Sequence, residues 1–561
     1  MSHTVNLRLL IAVICLIPSV MTQAATVTVT SAGDGVGCTL RNAVRSINLA
    51  SPTGGCSAIG VFGSSDEIRF SLNANTTIQL VSGSIAIDKS MAMTGPGADS
   101  LTITPAVGDR VFTVAPVTTA PLSLQLAGLR FAGSRAAVNG GVLSGTGSAV
   151  SVSVQACVFD DNHAREGGVF MLDSIAALSI RTSEFTGNQA QRYGAVLIMS
   201  QSSDLSFTTS SVTSNVALQQ PQAVGPSGAI FGGVIGLDAV RSVSIREVEF
   251  VDNGYAQLGL ASYPAFGGVG YIASSNNLSI LTILAEDNVA TYGGAFAINR
   301  VNVQGFFGTS NYIENEATQL GGALYLLDSG RVTVVSNAFY GNISRGFGGA
   351  VFTENVSGME FINSTFHSNT ATDGGGALKV RGDGPMVTHA TMVKNSTENN
   401  GGAIDVAGAN MTLQNSVLLE NRADNDGSDI DGVSANFTEL SGNMIGDGAI
   451  SAQDSVNGLV LPADNIIATL DSAQPLTLGE VLRPLALNGA TYSLIPVDES
   501  VVIDSADVTA CLTFDQRGRP RNDGACDIGA IEFKLEEDGM SESATFFVIR
   551  AANGKAIIIN L

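Results

Sequence analysis

Tryptophan is absent from this sequence of 561 residues, and charged residues make up only 14% of it. Basic residues are fewer than acidic ones, with 27 Lys and Arg against 50 Asp and Glu, which gives a formal net charge of −23. A chain without a surplus of Lys and Arg lacks the basic surface that neutralises phosphates, so nucleic acid and anionic membranes are excluded as partners. The apolar content of 45% also excludes a disordered chain.

Long apolar runs are lacking as well, because no stretch beyond the N-terminus reaches the roughly 20 residues that a membrane-spanning helix needs. Residues 1–24 have the features of a secretory signal peptide. Arg8 gives a positive start, Leu9 to Val20 form an apolar run, and Thr22-Gln23-Ala24 offers small residues for cleavage. We therefore expect an exported protein, secreted or on the outer cell surface, with no membrane span.

Histidine and cysteine are too few for most metal or redox chemistry. The 4 histidines are scattered, and no cysteine pair has the spacing of a zinc site. In an oxidising compartment Cys38–Cys56 and Cys511–Cys526 are the natural disulfides, each closing a short loop near one end of the chain. Cys157 is expected to be a buried small apolar residue.

What the sequence does contain is a glycine pair followed by an alternating apolar run, repeated at a nearly fixed interval. The second glycines of the clearest five pairs are 28, 27, 27 and 26 residues apart. These pairs are Gly293-Gly294, Gly321-Gly322, Gly348-Gly349, Gly375-Gly376 and Gly401-Gly402. So regular a period indicates a solenoid, in which each coil contacts only its neighbours.

Each interval also holds a large apolar position three residues before an asparagine or its equivalent. This position is occupied by Phe131, Phe159, Phe185, Val212, Phe250, Ala285, Tyr312, Phe339, Phe366, Met392 and Leu418. In a parallel β-helix this column fills the core, the asparagines hydrogen-bond along the stack, and the glycines allow a tight corner. Strand alternation places Phe170 and Leu172 inward, and by the same count Val196 and Ile198.

Two intervals are longer than the rest, at 38 and 35 residues. Their insertions fall near Gln219–Gly228 and Tyr255–Phe266 and are rich in Gln, Pro, Gly and Ser. Loops on a regular scaffold often carry specificity.

The N-terminal segment differs from the repeats, because Leu40 to Leu49 has the apolar spacing of a helix. A short helix beside a disulfide is expected to cap the first coil. The run Cys38-Thr39-Leu40-Arg41-Asn42-Ala43-Val44 resembles the CSLREA domain, whose signature is Cys-Ser-Leu-Arg-Glu-Ala. The resemblance covers residues 26–105 and departs from the signature at Thr39 and Asn42.

Two further resemblances concern the repeats and the C-terminal region. The Gly-Gly-Ala-Ile and Phe-x-x-Asn patterns are similar to the repeats of chlamydial polymorphic outer-membrane proteins, an adhesin-type family. The segments Asp515–Arg521 and Cys526–Glu532 resemble the closing region of secreted choice-of-anchor Q proteins. These resemblances imply a surface or secreted protein with a pectin lyase-like fold.

We therefore predict an all-β protein, a right-handed parallel β-helix with a short N-terminal capping helix and a C-terminal cap. The predicted divisions are a signal peptide (1–24), the N-terminal cap and first coils (25–130), regular coils (131–435), C-terminal coils and cap (436–533), and a tail (534–561). Asn553-Gly554 between two apolar runs indicates a β-hairpin in that tail.

Two classes of function are compatible with such a solenoid. A surface or secreted binding protein, adhesin-like, with a polysaccharide or protein partner is favoured, because no catalytic signature is present. On the outward face, Tyr271, Tyr325 and Phe352 could stack on sugar rings. The alternative is a polysaccharide lyase or hydrolase. Its candidate catalytic residues, close by, are Glu354, Lys379, Arg381 and Asp405. The structural interpretation is that a turn covers these side chains.

A calcium site is the one cofactor that the sequence suggests. Asp424, Asp426, Asp429 and Asp431 are dense enough in oxygen ligands, but their spacing does not match the EF-hand loop. The alternative is a solvated turn that ends the regular coils. Otherwise no cofactor is expected, and the protein is expected to be a monomer.

Overall fold

The structure is a computed structural model. It describes residues 23–116, 119–218, 232–255, 265–521 and 524–534, with the backbone of strands Phe546–Arg550 and Ala556–Asn560. The predicted signal peptide lies outside the described residues except for its last two positions. The insertion at 219–228 and nearly all of that at 255–266 also lie outside them.

The described chain is a β-solenoid whose coils stack in three sheets, so the predicted fold class is confirmed. The first sheet, which follows the glycine pairs and is called the glycine-pair sheet, has 13 parallel strands. They are Ile85–Ile87, Phe112–Val114, Leu143–Thr146, Phe170–Asp173, Leu197–Ser200, Ile235–Asp238, Gly270–Ala273, Phe296–Asn299, Leu324–Leu327, Val351–Glu354, Leu378–Asp383, Ile404–Ala409 and Ile430–Asp431. The right-handed sense of winding stays a prediction.

A second sheet is short-stranded and has 10 members. They are His163–Ala164, Gln189–Ala190, Val216–Ala217, Gly254–Tyr255, Val289–Tyr292, Glu316–Leu320, Ile343–Ser344, Thr370–Ala371, Ser396–Thr397 and Arg422–Ala423. Each of these strands follows the asparagine of its coil.

The third and largest sheet has 29 strands and contributes two strand columns to most coils. They are Thr26–Val29, Ala58–Ile59, Asp66–Phe70, Thr76–Gln79, Met91–Thr94, Leu101–Thr104, Leu122–Ala127, Arg130–Ala132, Val150–Gln155, Val158–Asp160, Ala177–Arg181, Glu184–Thr186, Asp204–Thr213, Ser242–Val251, Asn277–Leu281, Leu284–Glu286, Gln304–Gly308, Asn311–Ile313, Arg331–Val335, Ala338–Tyr340, Glu360–Ile362, Thr365–His367, Met386–Thr388, Thr391–Val393, Met411–Gln414, Val417–Leu419, Phe437–Ser441, Met444–Gly446 and Ile466–Ile467. Ala58–Ile59 pairs antiparallel with the first strand.

The core is continuous along the solenoid, and the predicted apolar column lies in it. All eleven members, from Phe131 to Leu418, are fully buried. Neighbouring rings stack where coils are regular, with Phe339 and Phe366 centroids 4.7 Å apart. One inward assignment was wrong by one residue: Leu197 and Met199, rather than Val196 and Ile198, pair with Phe170 and Leu172. In that coil Ala195 stands in the place of the second glycine. Counting from Gly194 as if it were the second glycine therefore placed the inward residues one position too early.

Both glycines of a pair are required by the backbone. At Gly348 the φ angle is +69°, a left-handed conformation that other residues adopt at a cost. At Gly349 φ is unremarkable, but a Cβ atom would lie 2.0 Å from the carbonyl oxygen of Gly376 in the next coil. The tight corner therefore needs one glycine for conformation and one for close approach.

The predicted asparagine ladder is present and buried. From Asn162 to Asn395, each side-chain amide donates to the amide oxygen of the next coil's asparagine at 2.9–3.1 Å. The members are Asn162, Asn188, Asn215, Asn253, Asn288, Asn315, Asn342, Asn369, Asn395 and Asn421. Each amide also donates to a backbone carbonyl of the preceding coil, as Asn342 does to Tyr312 at 2.9 Å. The ladder satisfies polar groups that the corners would otherwise leave unpaired.

The N-terminal cap is the predicted helix, Leu40–Leu49, whose apolar face is buried on the first coils. The Thr39 hydroxyl accepts a hydrogen bond from the backbone amide of Asn42 at 3.3 Å, which caps the helix N-terminus. The Cys38–Cys56 disulfide forms as expected. Arg41 joins the cap to the coils, because it pairs with Asp34 and donates to the Ser84 carbonyl at 3.0 Å.

The C-terminal region covers more of the solenoid than a cap does. After short helices at Ala452–Val456 and Leu478–Val481 come strands Ala486–Asn488 and Thr491–Ser493, and then the 3-10 turn Val508–Ala510. Another 3-10 turn is Ser434–Asn436. Residues 486–521 and 524–533 run back along the outside of the largest sheet: Asn311 Nδ2 donates to the Ala490 carbonyl at 3.0 Å, and Gly529 N donates to the Asn415 carbonyl at 2.8 Å.

This C-terminal segment buries outward side chains that are apolar in the last coils, among them Val393, Val417, Leu419 and Met444. Its Cys511–Cys526 disulfide forms as predicted. The tail strands pair antiparallel as a hairpin requires, while the Asn553-Gly554 turn lies outside the described residues. No helix among the described residues is long and apolar enough to cross a membrane.

Candidate functional site

The outward column predicted from the sequence exists in the glycine-pair sheet. Strand register aligns Tyr271, Ala297, Tyr325, Phe352, Lys379 and Asp405 in successive coils. Its aromatic members are nevertheless buried: Tyr271 is 9% exposed, Tyr325 7% and Phe352 0%. These three rings therefore have no exposed face on which a sugar could stack, as the interpretation that a turn covers them expects.

A second layer of side chains covers the column. We call it the covering row: the residues immediately before the first glycine of successive pairs, Phe266, Tyr292, Leu320 and Phe347. The Phe266 and Tyr292 rings stack at 4.8 Å, and Tyr292 lies 5.3 Å from Tyr325. Burial raises the pKa of Tyr325 to about 12. The structural interpretation, a turn over the outward face, holds in these coils.

The charged end of the column is covered too. Lys379 Nζ lies 2.5 Å from Asp405 Oδ2, with both side chains under 10% exposed. Lys379 and Arg381 both lie over the Phe347 ring, at 5.3 and 4.8 Å from its centroid. The covering-row position is Gly374 here, and a Cβ on it would lie 2.5 Å from Asp405 Oδ2, so the glycine makes room for the carboxylate.

This arrangement closes two of the alternative catalytic residues, Lys379 and Asp405, to a substrate. Lys379 is occupied by its ion pair, and burial raises the pKa of Asp405 although Lys379 opposes the shift. Glu354 is half-buried and lies beside Arg381 in the strand register. The structure brings these four residues together, with Lys379 and Asp405 buried and Glu354 and Arg381 half-buried.

The four aspartates of the suggested calcium site do not converge. Asp429 is fully buried and accepts hydrogen bonds from Asn421 at 2.9 Å and from the Ser455 hydroxyl at 2.7 Å. Burial raises the pKa of Asp429 to about 7. Asp424 pairs with Arg422 at 3.0 Å.

The other two aspartates are held apart from that pair: Asp431 accepts from Asn457 at 2.8 Å, and Asp426 is exposed. In the part of the chain that the structure describes, no three His, Cys, Asp or Glu side chains are placed to hold a metal ion. The aspartates end the regular coils, with Asp429 inside and the others on the turn.

The arginines of the C-terminal region are structural. Arg517 pairs with Asp515 at 2.9 Å, and Arg521 pairs with Glu532 at 2.9 Å, with all four side chains under 5% exposed. Arg521 also donates to the Asn363 side chain on the solenoid at 3.1 Å. These pairs hold the C-terminal segment against the largest sheet.

The outward face is accessible in earlier coils, where the sequence had indicated nothing. A groove of about 520 Å³ lies over the strands Phe112–Val114, Leu143–Thr146 and Phe170–Asp173. Its lining residues are Arg110, Thr113, Val114, Ala115, Ala137, Val138, Asn139, Ser144, Gly145, Thr146, Arg165, Met171 and Asp173. The outward positions of its floor, Thr113, Ser144 and Met171, are in register and partly exposed.

The groove exists because the covering-row positions carry polar instead of large apolar residues in these coils. In these coils the residue before the first glycine is Asn139 or Glu166, and Asn139 Nδ2 donates to Glu166 Oε2 at 3.1 Å. Glu166 in turn pairs with Arg192 at 2.5 Å. Two polar side chains held to each other do not fold over the floor as Tyr292 and Phe347 do. The signal was present in the sequence as a switch from polar to aromatic before the glycine pairs.

The charged groups of the groove are two arginines and one carboxylate. Burial lowers the pKa of the half-buried Arg110, although the adjacent Asp109 opposes the shift. Arg165 is exposed. Asp173 accepts hydrogen bonds from the Ser174 hydroxyl at 3.0 Å and the Ser200 hydroxyl at 2.5 Å.

Comparison with known proteins adds little to this geometry. No family model matches the sequence, and no curated protein matches it. Among solved structures the chain is similar to ORF18 of Geobacillus virus E2, with 12% sequence identity, a TM-score of 0.25, and coverage of 96% of this chain and 86% of that one. A likeness at this level assigns no function.

Proposed function

We propose that this protein is an exported or cell-surface β-solenoid that acts by binding, in an adhesin-like role, and that its ligand lies in the groove over residues 110–173. The observation that carries the proposal is the gap in the covering row. In the coils that contain Tyr292 and Phe347 a second layer closes the outward face, whereas Asn139 and Glu166 leave the floor accessible. A concave site with a few convergent polar groups is the usual place for a ligand.

Binding is favoured over cleavage by the groups that face the groove. Hydrolysis of a glycosidic bond needs a pair of carboxylates, and Asp173 is the one carboxylate among the described residues that line the groove. The other candidate set is centred on Lys379 and Asp405, which neutralise each other under the covering row. Neither place offers an acid and a base to one substrate.

Export is supported by the two disulfides, Cys38–Cys56 and Cys511–Cys526, because such bonds persist in oxidising compartments. A ligand in this setting is a polysaccharide or a protein of the surroundings or of a cell surface. The protein is proposed to act as a monomer.

The test is to fill the groove with the side chain that neighbouring coils carry. Asn139→Tyr places an aromatic residue at a covering-row position, as Tyr292 does, and should abolish binding while the melting temperature stays within a few degrees. Asn302→Tyr, at an exposed asparagine far along the chain, is the matched control. Binding by the purified protein is measured on immobilised polysaccharides and on cells, with reducing ends and ultraviolet absorbance followed in parallel.

Two results would overturn the proposal. Binding that is equally strong in Asn139→Tyr and the parent protein would remove the groove from the function. Release of reducing ends or of an unsaturated product by the parent protein would make it an enzyme.

A further inference from the structure

We propose that the groove takes an acidic polysaccharide, a chain that carries carboxylate groups such as a polyuronate, with its anionic groups held by Arg110 and Arg165. The inference rests on the proposed function and names its ligand class. The groove has two guanidinium groups and one carboxylate, in a protein with 27 basic and 50 acidic residues. Among the residues that line the groove, basic groups therefore outnumber acidic ones, the reverse of the whole chain, and electrostatic complementarity favours an anion.

The two arginines are available to a ligand. Among the described residues neither guanidinium forms an ion pair or a side-chain hydrogen bond. Elsewhere in the solenoid arginines often pair with carboxylates of neighbouring coils, as Arg192 does with Glu166 and Arg331 with Glu360. Guanidinium groups that line a groove without such a partner are suited to bidentate recognition of carboxylates.

Arg110 has the stronger need of a partner. It is half-buried, and a buried charge is costly unless it is paired. The adjacent Asp109 is occupied, because its carboxylate accepts hydrogen bonds from the backbone amides of Arg110 at 2.8 Å and Ser84 at 3.0 Å. An anion in the groove would give the guanidinium the hydrogen bonds that Asp109 does not.

The floor favours a chain of sugars over a small anion. Thr113, Ser144 and Met171 follow one another along the solenoid axis at the strand spacing of about 4.8 Å, so the floor extends across three coils. Hydroxyl groups on Thr113, Ser144 and Thr146 can donate to or accept from sugar hydroxyls. The Asp173 carboxylate would repel an anionic group placed next to it. It accepts hydrogen bonds from the hydroxyl groups of Ser174 and Ser200, and it can accept them from sugar hydroxyls in the same way. A polyuronate supplies both the carboxylates and the hydroxyl donors.

The test uses the purified full chain and four polymers: polygalacturonate, dextran sulfate, neutral dextran and polyglutamate. Binding to polygalacturonate should exceed binding to dextran and polyglutamate and should weaken with added salt. Arg110→Ala and Arg165→Ala should each weaken it about tenfold, and together abolish it. Arg246→Ala is the matched control, an exposed arginine outside the groove that should change affinity less than twofold. Arg165 is exposed, so its variant should fold even if Arg110→Ala does not.

The possible failures are distinct. If dextran binds, and this binding is lost in Asn139→Tyr but unchanged in both arginine variants, the groove is the binding site but its ligand is not an anion. A preference for dextran sulfate with the same dependence on the two arginines would support an anionic polysaccharide but contradict the proposal that its anionic groups are carboxylates. A preference for polyglutamate would replace the polysaccharide by an acidic peptide. Binding that Asn139→Tyr leaves unchanged would overturn the proposed function itself.

Discussion

The side-chain amide of Asn421 donates a hydrogen bond of 2.9 Å to the carboxylate of Asp429, so the ladder of ten asparagines ends on a buried acid. The Asp429 carboxylate accepts the hydrogen bond that the next coil's asparagine oxygen accepts elsewhere in the ladder. Its other oxygen accepts from the hydroxyl of Ser455, in the short helix Ala452–Val456. One side chain therefore connects the end of the stack to the segment that covers it, and a carboxylate there makes the connection sensitive to pH.

The first prediction concerns Asp429→Asn. Burial raises the pKa of Asp429 from 3.8 to about 7 in the folded protein. The folded state therefore keeps a proton that the unfolded state loses, so this group's contribution to stability is fully present below about pH 4 and is lost as pH rises to about 7. The amide side chain of the variant would remain neutral, and we expect the variant to be more stable at pH 8 by on the order of 3 kcal/mol and little changed at pH 4.

Melting temperatures of the variant and the parent protein at pH 4, 6 and 8 check this prediction. Asp426→Asn is the control, since Asp426 lies on the same turn but is exposed, and this variant should melt close to the parent protein. A variant that is less stable than the parent at pH 8 would show that Asp429 is needed as a carboxylate.

The second prediction concerns the ladder itself. In Asn342→Ala the carbonyl of Tyr312, the side chain of Asn369 and the side chain of Asn315 each lose a partner in a buried place. Unsatisfied buried groups cost about 1–3 kcal/mol each, so we expect a loss of several kcal/mol. Asn302→Ala, at an exposed asparagine, should cost less than about 0.5 kcal/mol. Urea unfolding followed by circular dichroism measures both, and equal losses would contradict a structural role for the ladder.

The periodic parts of the fold were predictable because one coil repeats the environment of the next. The core column from Phe131 to Leu418 and the asparagine ladder follow from period and alternation alone. The same reasoning failed at Leu197, where Ala195 stands in the second glycine position and the count slipped by one residue. A period fixes the faces of the strands only while its marker residues are present.

The candidate site was less predictable, because exposure depends on what packs over a strand. Outward positions such as Tyr325 and Ser144 have the same place in the repeat, yet one is buried and the other lines a groove. The difference lies in the turn before the glycines, which carries Tyr292 and Phe347 in one region and Asn139 in the other. The return of residues 486–521 and 524–533 along the largest sheet is a contact between segments more than 100 residues apart, for which periodicity gives no signal.

The third prediction concerns the second glycine of a pair. Gly349→Ala places a methyl group 2.0 Å from the Gly376 carbonyl oxygen and 2.7 Å from backbone atoms of Thr370, where nothing flexible can move aside. We expect the coil to distort, with a loss of at least about 3 kcal/mol and easier proteolysis nearby. Gly479→Ala, in the helix Leu478–Val481, should be neutral or slightly stabilising, because no atom lies within 4 Å of the place that its new methyl group would take. Limited proteolysis and thermal melting compare the two variants.

The fourth prediction separates a structural ion pair from a catalytic one. Lys379→Met leaves the carboxylate of Asp405 buried without its partner, which should cost about 3–5 kcal/mol, whereas Lys379→Met with Asp405→Asn should recover much of the loss. Because the pKa of Asp405 is already raised by burial and would rise further without Lys379, the penalty of the single variant should grow as pH increases.

Thermal melting at pH 5 and 8 measures this penalty, with Arg241→Met as the control at an exposed pair that should matter little. In a pair that serves catalysis, the single variants would lose activity and keep their stability. In the pair seen here the loss should fall on stability, and binding at the distant groove should be unchanged in every variant that folds.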